Sequence, residues 1–529
     1  MRKTLLSATL GLAVAFGANA QERYLDEIFT SVTVAPAQVY GQNYYFTISN
    51  IGDLVNIPPA ANPTIGDQKM DIYSPEGDVA TDRMAVIVLH TGNFLPRYLN
   101  QSATGAKEDN SVVQLCNKLA KRGFVVFAVS YRLGWDPLNS DLNVRRGTLL
   151  NAVYRGLHDV KTSVRYLKKS VAENSNPYGI DPNKITVFGF GTGGYLAANY
   201  DALDRYSELQ IQKFTIPGTT PPQVYVDTAL VGQIDGSGGT LNVHNYPSYS
   251  NDIMVAVNAG GAIGDSTWIE GGEIPNISFH CPDDPFAPFE HGMVFVPTTP
   301  PQAVVPVSGS KWIIEKANEF GNNDVFTHPY SDPYSQAAYT ACASGHPALG
   351  LNAANYEGLF PFRRPTLGAN QEEASPWDWW DEAVLTATVT QINSLFGQSL
   401  DAAAIHASGL NNNPDMSQAK SAAYIDSIVG YMCPRLVSAG MVGINDLDAV
   451  SRNLSVFPNP AEDVLNIKAL DGMRISGIEV IGMDGKSVVS RQALNTHLVS
   501  MQVADLTPGL YLIRILTDRG MTTQRVSVQ

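Results

Sequence analysis

Three runs, at residues 84–89 (MAVIVL), 124–129 (FVVFAV) and 185–188 (ITVF), carry almost no polar side chain to turn toward water on either face. Strands of that kind need cover on both sides, which a parallel sheet layered between helices provides. Helical patterns lie between them. Residues 111–122 place Val112, Leu115, Cys116 and Leu119 on one side and stop at Gly123, a natural residue just past a helix end. Over residues 150–167, Leu150, Val153, Leu157, Val160, Val164 and Leu167 step by three and four, a single buried stripe. Runs at 253–257 and 277–279 predict two more parallel strands. Residues 296–307 are Pro-rich and read as loop, 311–320 as helix, and 324–326 as the last strand. The expected fold class is α/β, a doubly wound, mostly parallel sheet.

At 529 residues the chain has room for one large domain and a smaller one. Its first residues have the order of an export signal: Arg2 and Lys3, an apolar run from Leu5 to Phe16, then Ala18-Asn19-Ala20 as a small-residue cleavage site before Gln21. Residues 1–20 are therefore expected to be removed. Starting from 35 basic and 50 acidic residues, loss of Arg2 and Lys3 leaves a net charge of −17. That charge argues against nucleic acid as a partner. No later stretch approaches the roughly 20 apolar residues of a membrane-spanning helix. Cys116, Cys281, Cys342 and Cys433 would meet an oxidising compartment, where two disulfides are expected, in any of three pairings. None has metal-site spacing, and neither metal nor cofactor is expected.

Past the third apolar run the chain turns polar and rich in Gly and Pro over residues 201–251, an insertion or lid within a main domain of residues 21–437. Residues 438–453 read as a linker. Residues 454–529 carry only short strand patterns and hairpin turns at Asp484-Gly485 and Asp518-Arg519-Gly520, a small all-β immunoglobulin-like sandwich. The segments Phe457-Pro458-Asn459-Pro460-Ala461 and Leu506-Thr507-Pro508-Gly509-Leu510-Tyr511, in that order, resemble the C-terminal sorting domain of the type IX secretion system. The resemblance implies that the secretion machinery is a partner and that the protein passes through the periplasm to the surface or the medium.

Four segments of the main domain, over residues 68–346, resemble secreted carboxylesterases of the α/β-hydrolase superfamily. They are Asp71-Ile72-Tyr73-Ser74-Pro75, the stretch 86–95 (VIVLHTGNFL) where that family has HGGG, 119–134 (LAKRGFVVFAVSYRLG), and Gly189-Phe190-Gly191-Thr192-Gly193-Gly194 where it usually reads GESAGG. A nucleophile on a tight strand-to-helix turn needs small residues on both flanks, so that the backbone bends while the hydroxyl projects. Gly189 and Gly193 supply the flanks, which puts Gly191, with no side chain, at the nucleophile position. Reading Thr192 as nucleophile instead would put Phe190 where a glycine is needed. The resemblance gives Thr192 an oxyanion-hole role through its backbone N–H, together with the amides around Gly92 and Asn93.

His280-Cys281-Pro282-Asp283-Asp284-Pro285 resembles the family's acid loop, which implies Asp284 as the triad acid with Asp283 as the fallback. Of two histidines beyond the expected last strand, His346 in Ala343-Ser344-Gly345-His346 is preferred to His328. Two other segments invite a role. The aromatic and acidic run 375–381 (SPWDWWD), with Phe360 and Phe362, reads first as a packed lid or domain edge and second as a sugar-stacking platform. Asp235-Gly236-Ser237-Gly238-Gly239 reads as a flexible turn, since it lacks the alternating acids of a calcium loop. The expectation is an exported hydrolase-fold protein that binds an ester, peptide or glycan and hydrolyses it weakly or not at all. An active esterase with another nucleophile and an adhesive scaffold are the alternatives.

Overall fold

The computed structural model describes residues 22–45, 63–296, 300–326, 356–362, 373–441, 454–470, 472–482, 486–518 and 520–528. The expected signal segment, His328, His346 and Cys342 lie outside these residues. The main domain is an eight-stranded sheet of β1 (Val32–Tyr45), β2 (Thr64–Pro75), β3 (Arg83–Leu89), β4 (Val125–Val129), β5 (Ile180–Phe190), β6 (Val255–Ala259), β7 (Asn276–His280) and β10 (Leu359–Pro361). In space the order is β1-β2-β4-β3-β5-β6-β7-β10. Only the β1–β2 and β2–β4 pairs are antiparallel. The three runs with which the sequence began are the central strands β3, β4 and β5, and every residue of β3 and β4 is buried.

Helices cover both faces, as such strands require. On one side α1 (Asn110–Ala120) inserts Val112, Leu115, Cys116 and Leu119 into a core shared with β3, β4 and Phe188. On the other, α2 (Leu142–Glu173) begins at Asp141, whose carboxylate accepts the Asn143 N–H, and runs 32 residues. It extends well past both ends of the stripe read from sequence. Leu157, Val160, Val164 and Leu167 are buried against the sheet, and Leu150 and Val153 are partly buried at the stripe's N-terminal end. The outer side of α2 is buried as well, because the insertion at 201–251, with a short helix at Thr228–Val231, packs onto it. Tyr154 Oη donates to Gly232 O at 3.1 Å, and Lys161 Nζ to Ile234 O at 3.3 Å.

Three expectations are corrected. Within 296–307, expected as loop, Val296 and residues 302–307 are strand: β8 (His291–Val296) and β9 (Gln302–Ser308) pair antiparallel, and Pro306 is tolerated because a two-stranded sheet has only edges. Residues Asp324–Phe326 form a 3-10 turn rather than the last strand, which is β10, beside β7. Two disulfides are excluded, since Cys116, Cys281 and Cys433 are each buried and free. The helix Gln418–Met441 also runs through residues 438–441, the start of the expected linker.

In the C-terminal domain, β11 (Leu454–Phe457), β12 (Val464–Ala469) and β15 (Leu498–Gln502) form one antiparallel sheet. Strands β13 (Ile475–Gly482), β14 (Ser487–Arg491), β16 (Gly509–Thr517) and β17 (Gly520–Val528) form the other. Leu465, Ile467, Ile478, Val480, Ile513 and Ile515 fill the space between them, a core separate from that of the main domain.

Candidate functional site

At the end of β5 the chain bends through Gly191 (φ 50°, ψ −113°) straight into helix α3 (Thr192–Ala198). The bend depends on its small residues. A Cβ on Gly189 would lie 1.9 Å from Gly193 O, and one on Gly193 2.7 Å from Leu89 Cβ. Both flanks must therefore be glycine for strand and helix to approach this closely. Gly191 itself stands at the apex. Its N–H donates to Ala259 O at the end of β6 (2.8 Å), and its carbonyl accepts the Tyr195 N–H at 3.1 Å.

The space above Gly191 is taken. A Cβ there would stand 2.1 Å from Thr91 Oγ1 and 2.9 Å from Thr91 Cβ. Thr91 follows β3, in the segment that resembles HGGG, so a hydroxyl oxygen from the neighbouring strand end occupies the volume a side chain at 191 would need. Sequence reasoning missed this. The available signal was a pair of departures: threonine in a glycine segment and glycine at a serine position.

The residues expected to supply oxyanion-hole amides, Gly92, Asn93 and Thr192, line the same cavity as Gly191. Gly92 (φ 128°), Asn93 (φ 57°) and Phe94 (φ 52°) are consecutive left-handed residues, a costly arrangement that needs outside support. Their carbonyls are pinned. Asn100 Nδ2 donates to Gly92 O (3.2 Å), Trp135 Nε1 to Asn93 O (2.6 Å) and the Gly134 N–H to Phe94 O (2.7 Å). Because a peptide's N–H points opposite to its C=O, pinning the Gly92 carbonyl turns the Asn93 N–H the other way. His90 fixes the preceding peptide through its Nδ1, which donates to Thr91 O. Burial holds His90 neutral, its pKa pushed down to about 4, and its ring stacks on Tyr131 at 4.5 Å. The N–H groups of Gly92, Asn93 and Thr192 have no acceptor among the described residues. The Thr192 hydroxyl is engaged elsewhere: it lies 3.0 Å from Tyr131 Oη, which donates to His90 O.

Asp284 follows β7 on a turn of its own. Its Oδ1 accepts the N–H groups of Phe286 (2.7 Å) and Ala287 (3.1 Å), and its Oδ2 lies 3.8 Å from His280 Nε2. Asp283, the fallback acid, is exposed. Gly191, Thr91, Gly92, Asn93, Thr192 and Asp284 all line one cavity of about 550 Å³. The histidine half of the expected constellation lies outside the described residues.

A second carboxylate in the wall was not anticipated as a site residue. Asp378 is buried, accepts a hydrogen bond from Ser111 Oγ (2.6 Å), and is raised to about 7 by desolvation. Nearby Asp109 is raised to about 6 for the same reason. The aromatic run around Asp378 is packed rather than displayed. Trp377 is fully buried against Phe190 and Phe362, and Trp380 touches the cavity while its Nε1 bonds His406 Nδ1 at 3.1 Å. In the 235–239 turn, Asp235 Oδ1 is occupied by the Ser237 N–H and hydroxyl. Among the described residues no group of three or more His, Cys, Asp or Glu is placed to hold a metal ion.

Sequence comparison finds two family matches in the chain. Residues 70–217 match the BD-FAE family model, and residues 455–529 that of the secretion system C-terminal sorting domain. The chain joins an esterase-like α/β-hydrolase to a type IX sorting domain. Solved structures similar to the hydrolase include the native esterase 2 of the planctomycete Thermogutta terrifontis. It is 16% identical over 68% of this chain and 92% of that one, with a TM-score of 0.33. The propionate-bound form of that enzyme is 19% identical over 48% of this chain and 74% of that one, with a TM-score of 0.28. No curated protein matches the chain. A sorting domain implies secretion or display at the cell surface, and no helix among the described residues is long and apolar enough to cross a membrane.

Proposed function

We propose that the hydrolase domain is an exported binding protein for an ester-like ligand, with serine-type hydrolysis reduced to a trace. The observation that carries this is the bare apex at Gly191 with Thr91 Oγ1 2.1 Å from where its Cβ would be. Removal of a triad serine lowers kcat by about 10⁶, while an oxyanion hole and binding alone retain about 10³–10⁴ over water. The amides of Gly92, Asn93 and Thr192 remain available at the cavity, so a ligand carbonyl can be held without being attacked. In this reading Asp284, with His346 as its partner, is a relic of the triad, and the sorting domain delivers the protein without taking part in binding.

One observation favours a second reading. Thr91 brings a hydroxyl to the place a serine would fill, and an active hydrolase would use it as the nucleophile. Incubating the mature protein with a fluorophosphonate, followed by intact and peptide mass spectrometry, separates the two. The binding reading expects no adduct and at most trace turnover of nitrophenyl butyrate; an adduct on Thr91 would establish the second reading, and an adduct elsewhere would overturn both.

A further inference from the structure

We infer that the ligand is an uncharged ester with a long aliphatic acyl chain, and that the chain lies in an apolar arm of the cavity beyond Thr91. This rests on the reading of the site as an ester-binding pocket and specifies its ligand.

The arm is built from three separate parts of the chain. Helix α2 contributes Val153 and Leu157, the insertion contributes Leu209 and Val226, and the β8–β9 hairpin contributes Val296 and Val305. All but Val153 are buried in the protein. Polar atoms in this part of the wall are turned inward and spent. Tyr154 Oη bonds Gly232 O, and Asn199 bonds the carbonyls of Tyr195 and Ala262 through Nδ2 and the Gly264 N–H through Oδ1. Trp268 Nε1, which has no acceptor among the described residues, is the exception. A space walled in this way gains nothing from a sugar or a peptide backbone, whose polar groups would be stripped of water without replacement. It gains from every methylene it takes in.

Charge narrows the class further. The only ionisable carboxylates or cations in the cavity wall, among the described residues, are Asp284 and Asp378, with no lysine or arginine to meet an anion. A phosphate, sulfate or free carboxylate headgroup would face acids alone, so the ligand is neutral at this point. The rest of the wall differs in kind. It includes Gln101 and Asn412, whose amides suit a polar alcohol on the other side of the ester bond, whereas those of Asn100 and Asn413 are spent within the protein. With the carbonyl at the Gly92, Asn93 and Thr192 amides, the acyl chain then lies against the apolar lining and the alcohol against the Gln101 and Asn412 side chains.

The test is binding of monoacylglycerols with 4, 6, 8, 10 and 12 acyl carbons to the full mature chain, measured by calorimetry below their critical micelle concentrations. Affinity should rise about threefold to fourfold per added methylene, as for transfer of a CH₂ out of water, until the arm is filled. Val153→Trp on α2 and, separately, Val294→Trp on β8, which also lines the cavity, should flatten the series while leaving the four-carbon ligand bound, with far-UV circular dichroism reporting that each variant is folded. A flat series in the unaltered protein overturns the acyl arm and leaves the ester-binding reading standing, as does a steep series that survives both substitutions. Absence of binding at every chain length overturns both.

Discussion

Positions 91 and 191 cannot both carry a full side chain. In a Gly191→Ser variant the new Cβ would meet Thr91 Oγ1 at 2.1 Å, on a backbone whose φ of 50° already disfavours any residue but glycine. Left-handed backbone costs about 1–2 kcal/mol and overpacking about 1–3 kcal/mol. Gly191→Ser alone should therefore lower stability by roughly 2–5 kcal/mol in denaturant melts and gain no turnover. Combining it with Thr91→Gly should recover the overpacking part of that loss but not the backbone strain, and the excess over additivity measures the contact. The Gly191 position was legible from the order Gly-Phe-Gly-Thr-Gly-Gly. Its filling by Thr91 was not, because two residues so far apart in sequence show their contact only once β3 and β5 are paired.

Asp378 gives the same scale a pH dependence. Its folded pKa is raised by desolvation to about 7, above the ordinary carboxylate range, so the native state holds a proton that the unfolded chain has released. The stability this provides is fully present below about pH 4 and is lost as pH rises toward the folded value of about 7. Asp378→Asn should remove this fall. Thermal melts should show the variant gaining on the parent between pH 4 and 7, by an amount on the order of 2–4 kcal/mol; equal pH slopes would contradict the assignment.

Among the elements, β5 and α3 meet at a bend with no tolerance for a methyl group. Gly189→Ala would drive a Cβ to 1.9 Å from the Gly193 carbonyl oxygen, backbone against backbone, with no flexible side chain to yield. This change should unfold the main domain or leave it insoluble, whereas an alanine at Gly218, where nothing lies within 4 Å, is expected to cost only the strain of its positive φ. Helix α2 is fastened to the end of β4 by a buried ion pair, Arg132 with Asp159, whose shortest N···O distance is 2.8 Å. Asp159 Oδ2 also accepts the Arg132 N–H at 2.7 Å. Asp159→Asn leaves a guanidinium buried without its counter-charge and should cost about 3–5 kcal/mol by chemical denaturation.

The elements that sequence reasoning found are chiefly those whose apolar pattern is continuous or strictly periodic: β3, β4, β5, α1 and the buried stripe of α2, together with β6, β7 and the helix Ser310–Glu319. Those it lost had weak or opposing local signals. Pro297, Pro300, Pro301 and Pro306 speak for a loop, yet β8 and β9 pair with each other, and β9 is held in place by the Ile263 backbone and by Arg145 and Arg146 of α2. Asp324–Phe326 is too short for alternation to tell a strand from a turn. The N-terminal turns of α2 went unread because the residues there face the cavity and the insertion rather than one continuous core.

For the molecule as a whole, a C-terminal sandwich with a core of its own implies a second folding unit. Leu465, Ile478 and Ile513 belong to a cluster that includes no residue of the hydrolase. A chain ending after the helix Gln418–Met441 should keep the main melting transition within a degree or two of the full-length protein's and lose only the second. In the native host such a chain should stay in the periplasm, which cell fractionation would reveal.

An exported chain commonly meets oxidants with its cysteines destined for cross-links. Here Cys116, Cys281 and Cys433 are instead buried and unbonded inside the fold, and burial pushes each thiol's pKa well up. For these three thiols concealment then substitutes for bonding, and their exposure to oxidant is confined to the interval before the domain closes. Prompt collapse is what keeps them from being trapped in mispaired forms.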